Sequence, residues 1–290
     1  MQQNTLVFTK MHGLGNDFVV CDLRNGVNNP PIDLIIKNIE KLCSRNFGIG
    51  CDQLVTIQDL KTKELGANME VRFFNADGSE GEMCANAIRC VTGLIGRESL
   101  IVKTKGSVVS AMLDSKNKLV TVNMGTPSTR PETIPVNEPV AKMVLGSISE
   151  HFWFVNVGNP HCVLLGNWTH MPDSRINEIG SQIEHNLQAF PKRVNVEFAT
   201  LISKTEVAVK VWERGSGRTL ACGSGACATG FALISSGMCE SNLKVFMDGS
   251  YHHSVTDTQP HSHLQISLRG KEIFMTGPYD FSFNGIIDLT

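Results

Sequence analysis

Two cysteines, Cys84 and Cys222, stand 138 positions apart in passages built alike. In the first, Val71-Arg72-Phe73-Phe74 leads to Asn75, and Cys84-Ala85-Asn86-Ala87 opens nine residues later. In the second, Val209-Lys210-Val211-Trp212 leads to Glu213, and Cys222-Gly223-Ser224-Gly225 again opens nine residues later. Two half-sites with one thiol each suit chemistry that takes a proton from one face of a carbon and returns one to the other. The pattern points to inversion of a stereocentre.

Each cysteine follows a turn and precedes a helical stretch rich in small residues, which places its sulfur at a helix N-terminus, where the dipole favours thiolate. In a buried setting that is worth up to about 2 kcal/mol and brings a thiol from about 8.5 to about 7. Such a thiolate does not remove a carbon-bound proton unaided. Backbone N–H groups at the helix start assist by stabilising an α-carboxylate as charge moves onto it. One sulfur must begin as base and the other as acid, and their pKa values belong to the pair. His161 and Glu213 are candidates to pass protons beside them.

Other polar residues recur in step with the cysteines. Gly15-Asn16-Asp17-Phe18 matches Gly158-Asn159-Pro160-His161 at an offset of 143, and Gln53 matches Asn195 at 142. The matches keep their order, and loop insertions account for the drift in offset, so two homologous domains are expected. Their bounds are 1–126, with 278–290 returning to it, and 127–277. Asn16, Asn75, Asn159 and Asn195 have a simpler use in turns, and Glu213-Arg214 could be a solvated ion pair at a strand end. Recurrence in both halves favours ligand contact.

The elements that must position these groups are mainly strands, including 5–9, 17–22, 69–74, 119–124, 152–157, 206–212 and 264–268, separated by Gly, Asn and Pro turns. Helical spacing marks Asp33 to Cys43, Asn86 to Gly96, Arg175 to Asn186 and Gly225 to Ser236. The mix predicts an α/β or α+β architecture. Pro127, Pro131 and Pro135 make residues 125–138 a linker.

With 26 Lys+Arg against 28 Asp+Glu in 290 residues, there is no basic excess to attract nucleic acid or an anionic membrane surface. The expected partner is a small molecule. Neither a secretory start nor an apolar run of spanning length appears, so a cytoplasmic location is expected. Nine cysteines, an odd number without Cys-x-x-Cys pairs, read as reduced thiols rather than disulfides or a zinc site. Cys21, Cys43, Cys51, Cys90, Cys162, Cys227 and Cys239 read as core filler. The other metal candidates, His252-His253 and His261-x-His263, lie in a turn-rich stretch, and no metal is expected.

Taken together, Met11-His12-Gly13-Leu14-Gly15-Asn16-Asp17-Phe18, Gly50-Cys51-Asp52-Gln53, Phe74-Asn75-Ala76-Asp77-Gly78-Ser79-Glu80, Gly158-Asn159-Pro160-His161, Glu213-Arg214-Gly215 and Ala221-Cys222-Gly223-Ser224-Gly225 resemble the diaminopimelate epimerases, PLP-independent amino-acid epimerases. The resemblance covers nearly the whole chain. It implies an α+β fold of two pseudo-symmetric domains, each a curved mixed sheet or barrel around a central helix, with the active site in the cleft between them. It further implies that Cys84 and Cys222 are the acid/base pair and that Ala85, Asn86, Gly223 and Ser224 offer donors to the reacting carboxylate. Asn16, Gln53, Asn75, Asn159, Asn195, Glu213 and Arg214 would contact the rest of the substrate. The implied reaction turns L,L- into meso-diaminopimelate for lysine and peptidoglycan precursors, without a cofactor and in a homodimer. A racemase of another amino acid and a catalytically idle amino-acid-binding homologue are the alternatives. One departure stands out: Ala85 and Ala87 occupy places where the family writes glycine, which is harmless unless position 85 needs a positive φ or a close carboxylate.

Overall fold

The computed structural model describes residues 4–24, 26, 30–61, 66–248 and 263–290. The chain divides into two compact units, Met1–Val122 with Pro278–Thr290, and Asn123–Gly277.

In the first unit β1 (Thr5–Gly13) pairs antiparallel with β2 (Asn16–Asp22), and β2 runs parallel to β3 (Gln53–Gln58). Then β4 (Met69–Asn75) lies antiparallel to β3, flanked by the short antiparallel β5 (Glu80–Gly81) and the parallel β6 (Ser99–Lys103). The antiparallel β7 (Val108–Asp114) and β8 (Leu119–Asn123) follow. Alternation decides which face of β1 is buried: Leu6, Phe8 and Lys10 point inward and Val7 outward. A bulge between Lys10 and Met11 then turns Met11 inward as well.

Between β2 and β3 the sequence predicts one helix over 33–43, whereas the structure has two, α1 (Ile32–Lys37) and α2 (Ile39–Cys43). They meet at Asn38, whose side-chain amide donates to the Leu34 carbonyl at 2.9 Å. A short amide that bonds the preceding turn competes with helix continuation. Helix α3 (Ala85–Ile95) packs on β1, β2 and β7, is buried from Ala85 through Thr92, and ends at the left-handed Gly96.

The second unit contains α4 (Glu138–Gly146), which the linker expectation for 125–138 did not extend to; Pro139 in its first turn is compatible with helix entry. Within 125–138 itself a short 3-10 turn forms at Pro131–Thr133. Strand β9 (His151–Asn156) pairs antiparallel with β10 (Pro160–Leu165); after α5 (Asp173–Glu184), β11 (Asn195–Ser203) runs parallel to β10. Next come β12 (Glu206–Glu213), antiparallel to β11, and the short antiparallel β13 (Gly217–Thr219). Helix α6 (Gly223–Ser235) precedes β14 (Asn242–Met247), parallel to β12, and β15 (Leu264–Arg269) and β16 (Glu272–Pro278) close the series antiparallel. From β9 to β15 the succession of antiparallel and parallel pairings repeats that from β1 to β7. Helix α6 packs on β9, β10, β11, β14 and β15. Its Ala, Gly, Cys and Thr side chains are buried on most sides, which lets strands approach closely.

The last strand, β17 (Asp280–Asp288), has no equivalent in this repeat and pairs antiparallel with β1 from Thr5↔Asp288 to His12↔Asp280. His252, His253 and His261 lie outside the described residues; among the described residues no cluster of three or more His, Cys, Asp or Glu could hold a metal ion.

Candidate active site

Cys84 and Cys222 occupy the same local structure in their own units. Each is the extended residue immediately before a helix, with φ −138° and ψ 107° at Cys84 and φ −121° and ψ 109° at Cys222. Their carbonyls accept the first helical bonds, from Ile88 N and Ala226 N, both at 3.0 Å. Ala85 opens α3 with ordinary helical backbone, so the departure from glycine there carries no strain; the non-glycine residues with positive φ are Leu14, Lys118 and Arg193. All nine cysteines stand as thiols, and the seven outside the two motifs are buried.

Beside the start of α3 the side chains form a hydrogen-bonded chain. Asn86 donates to Asn16 Oδ1 at 3.1 Å, while Asn16 donates to Asp52 at 2.8 Å. Behind them the fully buried Arg89 donates to Asn86 Oδ1 at 2.7 Å and to the Pro278 carbonyl. Donor and acceptor ends of both asparagines are therefore fixed. Asp52 also accepts from Arg45 at 2.8 Å. Gln53 donates to Asn75 at 2.8 Å, whereas Gln53 Oε1 is buried with no hydrogen-bond partner among the described residues. Asn75 in turn donates to Ser79 across the turn at 2.9 Å, so it serves the turn as well as facing Gln53.

Around Cys222 the groups are ionisable. Gly225 N donates to Sγ at 3.4 Å and Ser224 Oγ lies 3.5 Å away. Burial first, then the charges of Glu213 and Glu197, pushes the Cys222 thiol well up. The helix dipole that favours thiolate is outweighed at Cys222 by desolvation and two carboxylates. Burial also pushes the Glu213 carboxyl up, against the Thr219 hydroxyl and Cys222 thiol that donate to it and the charge of His161.

His161 is fully buried, with Nδ1 2.6 Å from Glu197 Oε1 and Nε2 2.8 Å from Asn159 Oδ1. Asn195 is buried, donating to Pro160 O at 3.0 Å and accepting from Arg214 N at 2.8 Å, which leaves one amide N–H and one lone pair. The Arg214 side chain is exposed and donates to Lys192 O at 3.2 Å. The structure thus joins Asn16 to Asn86, Gln53 to Asn75, Asn159 to His161, and Glu213 and Ser224 to Cys222.

Sequence reasoning missed Asp52, Arg89, Thr219 and Glu197. A signal for Glu197 existed. It stands two residues beyond Asn195 on one strand and so on the same face, and the helix facing it kept Gly225 where the first motif has Ala87.

A family model described as diaminopimelate epimerase matches residues 8–130 and 153–281. The chain belongs to the diaminopimelate epimerase family. It is 37% identical over 299 residues to the diaminopimelate epimerase of Halothermothrix orenii, covering 97% of this chain and 98% of that protein. It is 39% identical over 282 residues to that of Gluconobacter oxydans, again covering 97% and 98%. Solved structures extend the fold beyond the family. A PhzF-family phenazine biosynthesis protein of Bacillus anthracis superposes with TM-score 0.66 at 11% identity, covering 98% of this chain and 99% of that one. A hydroxyproline epimerase of Agrobacterium vitis gives TM-score 0.63 at 14% identity, covering 99% and 92%. At such identities the likeness is one of fold.

Proposed function

We propose that the chain interconverts L,L- and meso-diaminopimelate without a cofactor, with Cys84 and Cys222 as the acid/base pair. The observation that carries this reading is the matched pair of helix-capping cysteines, one per unit, in a chain over a third identical to proteins named for that reaction. The raised Cys222 thiol makes it the resting acid. Cys84, at the start of α3, is then the base: its thiolate takes the α-proton, charge spreads into the α-carboxylate, and Cys222 delivers its proton to the opposite face. In the reverse direction the roles exchange.

Donors for the α-carboxylate are the first N–H groups of α3 and α6, from Ala85, Asn86, Gly223 and Ser224. Diaminopimelate is an amino acid at both ends, so its distal end needs a cation and acceptors. Arg214 offers a planar fork to the distal carboxylate. The buried, unpartnered Gln53 Oε1 and the carboxyl of Glu213 are acceptors suited to ammonium groups. Asn16, Asn75 and Asn159 complete the set; Asn195, bonded on both sides to backbone, acts by holding Arg214.

The same reading places the chain in the formation of lysine and peptidoglycan precursors, in the cytoplasm. Its balanced charge and nine thiols support that location, and among the described residues no helix is long and apolar enough to cross a membrane. A homodimer is supported by exposed apolar side chains on the paired strands β1 and β17, namely Val7, Phe281, Phe283 and Ile286, each more than half exposed.

Incubation in D2O with reduced protein and no added pyridoxal phosphate should place deuterium at the α-carbon of diaminopimelate. Replacing either thiol, as Cys84→Ala or Cys222→Ala, should slow epimerisation by roughly 10²- to 10⁴-fold, the range for a positioned acid or base. Absence of exchange by the reduced wild-type protein, or preference for a monocarboxylic amino acid, would sink the reading.

A further inference from the structure

Glu197 is a fully buried carboxyl group on β11, and the repeat shows what its position costs. Parallel pairing sets His161 beside Asn195 in the second unit and Phe18 beside Gln53 in the first, so Glu197 matches Val55. Valine fills that place in the first unit with no polar atom to satisfy. Glu197 instead leaves Oε2 buried with no hydrogen-bond partner among the described residues. Packing alone does not account for a carboxyl group where a valine serves.

Two contacts give Glu197 its use. Oε1 meets His161 Nδ1 at 2.6 Å, and His161 Nε2 faces the Asn159 oxygen at 2.8 Å. Both ring nitrogens of His161 are thus held by oxygen partners. The other contact is with the first turn of α6: a methyl group added at Gly225 would lie 2.7 Å from Glu197 Oε1. Glycine at 225 is what lets the carboxyl group sit directly under the turn that Cys222 caps.

We infer that Glu197 is a positioning residue for the proton chemistry at Cys222: it holds His161 through Nδ1 and sets the buried charge beneath the first turn of α6. This rests on the reading of Cys222 as one of the two proton-handling thiols. The charged groups that act on Cys222 are Glu213 from β12 and Glu197 from β11; His161 on β10 acts in turn on Glu213, Glu197 acts on Cys162, and the first turn of α6 holds no acidic residue. Glu197 and Glu213 act in the same direction, both opposing ionisation of Cys222. Removing the charge of Glu197 therefore makes that thiol ionise at lower pH.

The test is Glu197→Gln, which keeps size and a hydrogen bond to His161 but not the charge. Alkylation of Cys222 by iodoacetamide, followed by mass spectrometry across pH, should begin at lower pH than in the wild-type protein. The kcat for epimerisation should fall by roughly tenfold or more with KM within about threefold, and its pH profile should shift; effects of this kind follow from losing a group that orients a proton carrier. Glu197→Asp should recover part of kcat and serves as the variant of record should Glu197→Gln not fold. A substitution that leaves the alkylation profile and the pH dependence of kcat as in the wild type overturns the inference. If the wild-type protein does not epimerise diaminopimelate, the proposed function fails while the alkylation profile still decides the role of Glu197.

Discussion

The two cysteine-capped helices start from the same backbone and have different side chains beside their first turns. Under α3 lie Asn16 and Asn86, neutral amides locked end to end by Arg89. Under α6 lie His161, Glu197 and Glu213, whose side chains can carry protons. The position of Arg89 in the first motif is that of Cys227 in the second, and the position of His161 is that of Phe18. The two units therefore share the strand pairings, the capping cysteine and an asparagine at 16 and 159, and differ at the positions of Arg89 and His161. A symmetric reaction does not require symmetric walls. Under the proposed reaction one thiol stays protonated at rest, and the raised Cys222 thiol is suited to that part.

The largest effect expected from breaking this comparison is on the amide side. Arg89 is a buried cation whose partners are an amide oxygen and the carbonyl of Pro278, the residue that leads into β17. Arg89→Leu removes donors from both and leaves them buried and unsatisfied. Each buried acceptor left unsatisfied typically costs about 1–3 kcal/mol, so Arg89→Leu is expected to cost about 3 kcal/mol or more. Chemical denaturation read with probes in each unit should show the first unit affected. A loss below about 1 kcal/mol would mean that the amide chain stands without its anchor.

Much of this layout is legible in the sequence because it depends on local rules. Strand alternation, the turn before each cysteine and the small residues after it are short-range, and the structure has strands at every segment named for them. The break at Asn38 was not legible, because apolar spacing at Ile35, Ile36, Ile39 and Leu42 runs through it while the side-chain bond to Leu34 does not register in spacing. Asn195 read as a ligand contact because it recurs, yet its amide is bonded on both sides to backbone. Recurrence reports a shared fold position before it reports a shared ligand. Arg89 and Glu197 escaped notice because their meaning lies in partners distant along the chain, 189 residues away for Arg89 and Pro278.

A smaller and more specific test exchanges the residues that distinguish the two helix starts. Gly225→Ala drives a methyl group into Glu197 Oε1, 2.7 Å away, and overpacking of this kind costs typically about 1–3 kcal/mol. Ala87→Gly, at the matching position in α3, meets no such neighbour. It should cost no more than about 1 kcal/mol, the helix-propensity difference between alanine and glycine. Glu197→Val should relieve Gly225→Ala when the two are combined, since valine is what the first unit carries at that place. Thermal unfolding of the two single variants and the double variant measures the coupling. Simple additivity would separate Gly225 from Glu197.

The smallest effect concerns acid, and here the first unit is the sensitive one. Asp17 sits where the second unit has Pro160, so only one unit has a carboxylate at this point. Burial would raise its pKa, but hydrogen bonds from Arg45 and Lys10, with their charges, lower it to about 2 from 3.8. A carboxylate whose folded pKa lies below its unfolded value contributes stability that is fully present above the unfolded value and fades as pH falls through the folded one. For Asp17 the window runs from about 4 down to about 2. Asp17→Asn should flatten the decline of stability across that range, by a modest amount because Arg45 is largely exposed and its pairing is screened by solvent. Unfolding measured at several pH values between 2 and 5 checks it. Equal slopes for Asp17→Asn and the wild-type protein would mean that the acid response of the first unit arises elsewhere, and the contrast between Asp17 and Pro160 would then be one of packing alone.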